Sequence, residues 1–175
     1  MPDTVDAEGA GSRVRLICPT LPLPAMAKPP AIRQTYILTH PPSRVFAALT
    51  DPKILTKWFV AKAAVTPRKG GNFRLGWGKS YSMRGRVLEI EAPRTLRLAW
   101  IDVGEGGKVL ETEARFDLSK HGRGTKLSVT HRGFKSGKKW VVLHGAIASG
   151  WAYYLQNLRS VVDHGIDLRS PSDSI

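Results

Sequence analysis

The sequence predicts an α+β domain: a curved antiparallel sheet of about six or seven strands wrapped around one long C-terminal helix. Short segments with period-two hydrophobicity follow one another, each with one apolar and one charged face, which is typical of an antiparallel sheet covered on one side. Apolar residues then recur at intervals of three and four from about Val141 to His164, which indicates a long amphipathic helix. Because this helix directly follows the strands, we expect it to lie across the sheet.

The chain begins its ordered pattern with a strand and two short helices. Ile32–Thr39 is rich in β-branched and aromatic residues, and a His-Pro-Pro sequence ends it. Ser43 is expected to cap a first short helix over Val45–Leu49. Asp51, with a proline after it at the first helical position, is expected to cap a second helix that ends near Phe59.

Six further strands and the long helix complete the predicted fold. Turns containing Gly or Pro separate the strands, which are predicted at residues 63–65, 72–77, 81–87, 95–100, 112–118 and 127–131. Gly165 is expected to end the helix. Gly145 and Gly150 each lower its stability by about 1 kcal/mol relative to alanine, and we interpret them as positions where the helix bends or passes close to the sheet.

Length and composition indicate one domain with irregular ends. We predict a disordered Pro-rich leader at 1–30, a single domain at 31–168 and a flexible tail at 169–175, with Met26 as a candidate start. No run approaches the roughly 18 apolar residues of a membrane span. The single cysteine, Cys18, excludes an internal disulfide and a cysteine-based zinc site, and we expect a cytoplasmic protein.

Several segments together resemble a known superfamily. The chain is similar to the START-like (SRPBCC, helix-grip) proteins, and within them to the group like the C-terminal domain of the activator of Hsp90 ATPase. The residues that carry the resemblance are 41–52, Lys57-Trp58-Phe59, Gly70-Gly71-Asn72-Phe73, 85–89, 96–100, Thr130-His131-Arg132-Gly133-Phe134 and 150–155. The resemblance implies two short helices at one end of a curved sheet and a long helix across its concave face. It implies less about activity, because relatives include lipid carriers, polyketide cyclases, hormone binders and chaperone regulators.

Large side chains are predicted to face the space between sheet and helix. The candidate ligand-binding residues are Trp58, Phe59, Trp77, Tyr81, Met83, Trp100, His131, Phe134 and Trp151. The alternative is that these side chains simply fill the core, which we favour for most of them. Tyr81 and Trp100 are the better candidates for ligand contact, because each has a polar tip. The hairpin at 101–111 and the loop at 132–140 are expected to close the pocket.

The sequence offers little catalytic chemistry. No histidine pair has the spacing of a metal site, and we expect no cofactor and no metal. His131 and His144 are the two histidines at inward-facing positions; they could act as acid and base, but hydrogen-bonded structural roles are the interpretation we favour. Asp102, beside a Gly-rich hairpin, is interpreted as a solvated surface acid. We therefore expect a binding domain rather than an enzyme.

The net charge of +13 concentrates on the predicted outer face of the sheet. Its cations are Arg74, Arg84, Arg86, Arg97 and Lys126, and Lys135, Lys138 and Lys139 follow in the loop before the long helix. This face could dock an acidic protein partner, but a solvated face that keeps the protein soluble is the interpretation that we favour. A nucleic-acid partner is not favoured, because sheets that bind nucleic acids mix aromatic and basic residues on one face, whereas here the aromatic residues lie opposite.

Three hypotheses of function follow. The first is a non-enzymatic domain that holds a small hydrophobic or amphipathic molecule between sheet and helix. The second is a protein-interaction module similar to the Hsp90 ATPase activator domain. The third is a cyclase-like enzyme that uses polar groups of the pocket, such as His131 and Tyr81.

Overall fold

The computed structural model describes residues 27–78, 81–103, 107 and 109–170, so most of the predicted leader, part of the 101–111 hairpin and the last five residues lie outside it. The predicted fold class is confirmed. Its elements are β1 (Ile32–Leu38), α1 (Pro42–Thr50), α2 (Pro52–Trp58), β2 (Lys62–Val65), β3 (Asn72–Trp77), β4 (Tyr81–Glu91), β5 (Thr95–Val103), β6 (Val109–His121), β7 (Gly124–Arg132) and α3 (Lys138–His164).

The seven strands form one antiparallel sheet in the order β1-β7-β6-β5-β4-β3-β2. The first strand therefore pairs with the last, and the remaining strands follow as a meander. Strands β4, β5 and β6 are longer than predicted. In β4 the register shifts between Val87 and Glu89, so that Leu88 is an extra residue and the alternation of faces reverses after it. This bulge explains why the period-two pattern in the sequence stops at Val87.

Proline and aspartate determine where the two short helices begin. Asp51 caps α2 as predicted, with its carboxylate accepting a hydrogen bond of 2.8 Å from the Lys53 amide. The predicted Ser43 cap of α1 is wrong: the N-cap is Pro41, without a side-chain hydrogen bond, and the helix begins at Pro42. Proline fits this first turn because the missing amide has no helical partner to lose.

The long helix α3 begins three residues earlier than predicted, so Lys138 and Lys139 belong to its first turn and not to a loop. It ends at Gly165 as predicted, where a left-handed conformation with φ of 73° lets the Gly165 amide bond back to the last turn. The interpretation of Gly145 and Gly150 as points of close approach to the sheet is wrong, because a Cβ atom at either position would meet nothing within 4 Å.

The core lies between the concave face of the sheet and α3. Its helical side is formed by Trp151, Leu155, Leu158 and Val162, which face the apolar strand residues and α1 and α2. A smaller cluster lies under the first turn of α3, where Trp140 packs with residues that include Phe134 and Leu110. The helix is thus fixed at its start and along its second half.

The segment after α3 is fastened back onto α2. The buried Asn157 amide donates to the Trp58 carbonyl at 2.7 Å and to Asp167 at 2.9 Å. Arg169 in turn donates to the carbonyls of Thr56 at 2.8 Å and Val60 at 3.2 Å. The predicted domain boundary at residue 168 falls inside this C-terminal clamp (Asn157, Asp167 and Arg169), so the folded part of the described chain extends to Arg169.

Candidate ligand-binding site

Three aromatic rings divide the space between the sheet and α3. Phe59 follows α2, Trp100 comes from β5 and Trp151 from α3. The rings of Phe59 and Trp151 stack with centroids 5.6 Å apart, and those of Trp100 and Trp151 lie 5.2 Å apart. We call these three residues the aromatic wall, because each of them lines both a small cavity on one side and a larger, open cavity on the other.

On the side of α1 and α2 the space is filled. The cavity there has a volume of about 30 Å³ and is bordered by core residues that include Trp58, Phe73 and Phe116. One water molecule in the liquid occupies about the same volume, so no organic guest fits. The interpretation that aromatic side chains fill the core holds for this half of the domain.

On the other side of the wall lies an open cavity of about 370 Å³. That volume is within the range of small-molecule pockets, roughly 300 to 1,000 Å³. Its described lining residues are Phe59, Trp77, Tyr81, Trp100, Asp102, Leu143, Ala146, Ile147, Gly150, Trp151 and Tyr154. The first half of α3 forms one side of this cavity and the ends of β3, β4 and β5 form the other.

Of the nine residues predicted to bind a ligand, five line this cavity: Phe59, Trp77, Tyr81, Trp100 and Trp151. The other four lie elsewhere. Trp58 is buried against α1, where its indole donates to the Ala48 carbonyl at 2.9 Å. Met83 belongs to the main core, and His131 and Phe134 lie under α3, where their rings stack 5.5 Å apart.

His131 is a structural histidine and not a wall of the cavity. It is 0% exposed, and the Trp151 indole donates to its Nδ1 atom at 2.9 Å. An indole nitrogen can only donate, so Nδ1 is an acceptor and the ring proton lies on Nε2, 2.8 Å from the Thr112 hydroxyl. Burial, and to a lesser extent the nearby His144, lower the pKa of His131 to about 3. This geometry favours the structural interpretation over a role in acid and base chemistry.

The sequence reasoning missed the polar edge of the cavity. Asp102 is partly buried and lines the cavity, so its interpretation as a solvated surface acid is wrong. Its carboxylate accepts a hydrogen bond of 3.1 Å from the hydroxyl of Tyr81, which is 46% exposed at the mouth. Burial, and then the Asp102 charge, raise the pKa of Tyr81. The signal was available: Asp102 continues the inward alternation that places Trp100 on the concave face.

Other lining residues come from α3, and the sequence indicates their inward positions less clearly. Ile147 lies on the predicted inward stripe, but Leu143 and Tyr154 fall beside it and reach the cavity because the helix lies above open space there. The Trp77 indole nitrogen is buried and has no acceptor among the residues that the structure describes. A guest with an oxygen atom nearby would satisfy it.

The outer face of the sheet divides into a neutralised half and a basic half. On the central strands Arg97 forms an ion pair with Glu89 at 3.1 Å, and Arg132 forms one with Glu113 at 2.8 Å. On β3 and β4 three neighbouring side chains are different. Arg74, Arg84 and Arg86 are exposed, and no carboxylate of the described residues lies within ion-pair distance of them. We call these three residues the arginine patch.

Within the described residues, no group of three or more His, Cys, Asp or Glu side chains is arranged to hold a metal ion. The described helices also contain none that is both long enough and apolar enough to cross a membrane.

The family model described as Activator of Hsp90 ATPase homolog 1-like protein matches residues 39–163, which include every element from α1 to almost the end of α3. The chain belongs to this family. The resemblance to START-like, helix-grip proteins is thereby confirmed. No curated protein matches the chain.

Several solved structures have the same fold. CalU16 from Micromonospora echinospora is 30% identical, with 77% of this chain and 76% of that chain covered and a TM-score of 0.58. PFC0360w from Plasmodium falciparum, described as an HSP90 activator, is 25% identical, with 75% and 95% covered and a TM-score of 0.61. The Aha1 dimer from Colwellia psychrerythraea, at 17% identity, 78% and 98% coverage and a TM-score of 0.67, shows the fold alone.

Proposed function

We propose that the chain is a binding protein that holds a small apolar or amphipathic molecule between α3 and the ends of β3, β4 and β5. The observation that carries this proposal is the cavity of about 370 Å³, in which six of the eleven lining residues are aromatic. A large apolar cavity costs stability, because its lining loses contacts that a filled core would make. A guest recovers those contacts.

Gly150 of α3 supports the same function. Gly150 lines the cavity, and a side chain there would extend into open space. Glycine weakens a helix by about 1 kcal/mol relative to alanine, so its presence in the middle of α3 needs a reason other than helix stability. Keeping the cavity open is such a reason.

Gly150→Leu tests the proposal by filling the cavity without disturbing the core. The neutral fluorescent probe N-phenyl-1-naphthylamine is expected to bind the unchanged chain and to raise its melting temperature by mass action. The substitution should abolish both effects while leaving the stability of the free protein equal or higher, because leucine is the better helix former.

Gly145→Leu is the matched control. Gly145 lies in the same helix, also faces open space and does not line the cavity. This variant should bind the probe as the unchanged chain does. If the unchanged chain binds no probe, or if both variants bind it equally, the cavity is not the binding site.

We propose a second function, docking of an acidic protein, because one observation favours it independently. The arginine patch carries three charges side by side that form no ion pair with the described part of the chain, and Arg74 and Arg84 are directly paired across β3 and β4. Exposed cations of this kind, next to strands whose charges are neutralised, can bind an acidic partner. The similarity to a protein described as an HSP90 activator makes an acidic surface of an Hsp90-type chaperone the partner that we propose.

Charge reversal tests this second function. Replacing Arg74, Arg84 and Arg86 by Glu should remove binding to a purified Hsp90 protein, and binding by the unchanged chain should weaken steeply with added salt. The control replaces three exposed cations at the other end of the sheet, Arg33, Lys120 and Lys126, by Glu. Equal loss in both triple variants would show that only net charge matters and would contradict a specific docking surface.

A further inference from the structure

We propose that the guest of this cavity is a flat aromatic molecule with fused rings, and not a flexible alkyl chain. This inference rests on the binding function proposed above and names the chemical class of the ligand. Three properties of the lining support it: a continuous series of aromatic rings, a stretch of α3 without large side chains, and the fixed position of the rings that divide the space.

The first property is the series of rings. The centroids of Tyr81 and Trp77 lie 5.3 Å apart, and Trp77 lies 5.2 Å from Phe59. The series continues from Phe59 to Trp151 at 5.6 Å and from there to Trp100 at 5.2 Å. All five rings line the cavity, so the series leads from its mouth to the aromatic wall. Aromatic rings attract one another, stacked or edge to face, beyond what burial of their area contributes. An aromatic guest therefore gains an interaction that an alkyl chain lacks.

The second property is the shape of the helix. Ala146 and Gly150 lie one turn apart in α3, and both line the cavity. Residues four apart lie on the same face of a helix, so this part of the surface carries only a methyl group and a hydrogen atom. A Cβ atom at Gly150 would meet nothing within 4 Å. A flat ring system can lie against such a surface with its whole face, whereas larger side chains would hold it away.

The third property is the fixed position of the aromatic wall. The Trp151 indole is held by its hydrogen bond of 2.9 Å to the buried His131. Phe59 and Trp100 are buried, and core residues pack against them on the side away from the open cavity. Close-packed rings of this kind do not rearrange around a guest of a different shape. A rigid, flat guest also loses fewer internal rotations on binding than an alkyl chain of the same size.

Calorimetric titration with three neutral alcohols that have the same number of carbon atoms tests the proposal. They are 2-naphthol, which is flat and aromatic, decahydro-2-naphthol, which has the same skeleton with puckered saturated rings, and 1-decanol, each used below its solubility limit. Each ligand has one hydroxyl group, and 1-decanol is the most hydrophobic, so burial of apolar area alone predicts that 1-decanol binds most tightly. We expect the reverse order: 2-naphthol about tenfold more tightly than decahydro-2-naphthol, and 1-decanol most weakly.

Trp77→Leu removes one ring from the series and keeps an apolar side chain. It should weaken binding of 2-naphthol several-fold more than binding of 1-decanol. Tyr36→Leu is the matched control, because Tyr36 is also partly buried but does not line the cavity. It should change none of the three affinities. The order of the three ligands is measured on the unchanged chain, so the test does not depend on the folding of either variant.

The outcomes separate the two proposals. Equal affinities for the three ligands, or tightest binding of 1-decanol, would overturn the flat aromatic guest and leave the binding function intact. A preference for 2-naphthol that is unchanged in Trp77→Leu would overturn the contribution of the ring series. Absence of binding by all three ligands would overturn the binding function itself.

Discussion

His131 shows how two sequence motifs become one interaction. The Thr-His-Arg-Gly-Phe segment ends β7, and the Gly-Trp pair lies in the middle of α3. The hydrogen bond from Trp151 to His131 joins them at full burial, and Thr112 holds the other ring nitrogen. The two motifs therefore form a structural link between the sheet and α3, and this link accounts for both motifs without a catalytic role.

This fastening makes stability depend on pH. The pKa of His131 is about 3 in the folded protein against 6.5 ordinarily, so the unfolded chain binds the extra proton between these values. Folding should lose about 1.4 kcal/mol per pH unit from this residue as pH falls from 6.5 toward 3. Urea unfolding of the unchanged chain at several pH values measures the slope. In His131→Asn, which cannot titrate, the slope should fall by about 1.4 kcal/mol per pH unit, which corresponds to one proton. An unchanged slope would contradict the lowered pKa of His131.

Trp151→Phe isolates the hydrogen bond from the ring. The substitution keeps an aromatic group in the wall but leaves the buried Nδ1 atom of His131 without its donor, which should cost about 1 to 3 kcal/mol. Denaturant unfolding measures the loss. Combining it with His131→Leu removes both partners and should cost less than the sum of the single changes. Additive costs would show that the two residues do not interact.

For single residues, the sequence predicts which face of the sheet a side chain takes, because strand side chains alternate between the two faces. It does not predict where the space between sheet and helix stays open. Alternation places Trp100 and Tyr81 on the concave face, and both line the cavity. The same inward alternation includes Met83, which the structure places in the filled core. Period and hydropathy report which face a side chain takes, but not whether its neighbours leave a gap.

At the scale of elements, the pairing of β3, β4 and β5 depends on Gly85. This residue lies opposite Phe73 on one strand and Trp100 on the other, and the two rings cover the space where it has no side chain. A Cβ atom at Gly85 would overlap the Ala99 carbonyl and lie 2.5 Å from the Phe73 ring. Since the overlap with backbone cannot be relieved by a rotamer change, the strands themselves would have to move.

Gly85→Ala should therefore destabilise the fold by about 3 kcal/mol or more. Gly76→Ala is the matched control in β3, because its Cβ atom would make an ordinary contact of 3.7 Å with Lys62. The control should stay within about 0.5 kcal/mol of the unchanged chain or gain stability. Thermal unfolding compares the two; similar melting temperatures would show that the close approach at Gly85 is not required.

The C-terminal clamp should also contribute to stability. The Arg169 side chain is 3% exposed and holds two carbonyls and Asp167, so Arg169→Met should cost about 2 kcal/mol. Arg159→Met is the control: that side chain is 53% exposed and reaches Asp163 at 4.0 Å, so its loss should cost less than about 0.5 kcal/mol. Chemical denaturation separates the two, and equal effects would contradict the clamp.

Elements were predicted well where local rules decide them, and poorly where distant parts meet. Asp51 and Gly165 mark helix ends through their own chemistry, and both were predicted. The Leu88 bulge and the clamp were not. Asp167 and Arg169 follow a helix end and resemble a solvated tail in the sequence, because the carbonyl partners of Arg169 are more than a hundred residues away.

At the scale of the molecule, α3 is unevenly supported. Of its six buried side chains, all within the described residues, Trp140 alone precedes Trp151. The first half of the helix lies over the cavity, and the second half lies on the core. Segments with few buried contacts open more readily than the core around them.

Backbone amides at residues 142–150 should therefore exchange hydrogen faster than those at 155–162. Binding of N-phenyl-1-naphthylamine should slow the first group and leave the second unchanged, because the residues of α3 that line the cavity end at Tyr154. Hydrogen exchange followed by mass spectrometry measures both. Uniform exchange along α3 would contradict this division, and Gly150→Leu, which fills the cavity, should slow the first half without any probe.

The aromatic wall also has a consequence for the evolution of this fold. On one side of Phe59, Trp100 and Trp151 lies the filled core, and on the other lies the open cavity, which Asp102 and Tyr154 help to line. If the cavity binds a small molecule as proposed above, exchange of Asp102 or Tyr154 would change which molecule it holds while the filled core stays intact. A partition of this kind, formed by one layer of three rings, would let one ancestral scaffold give rise to many specificities without passing through unfolded intermediates.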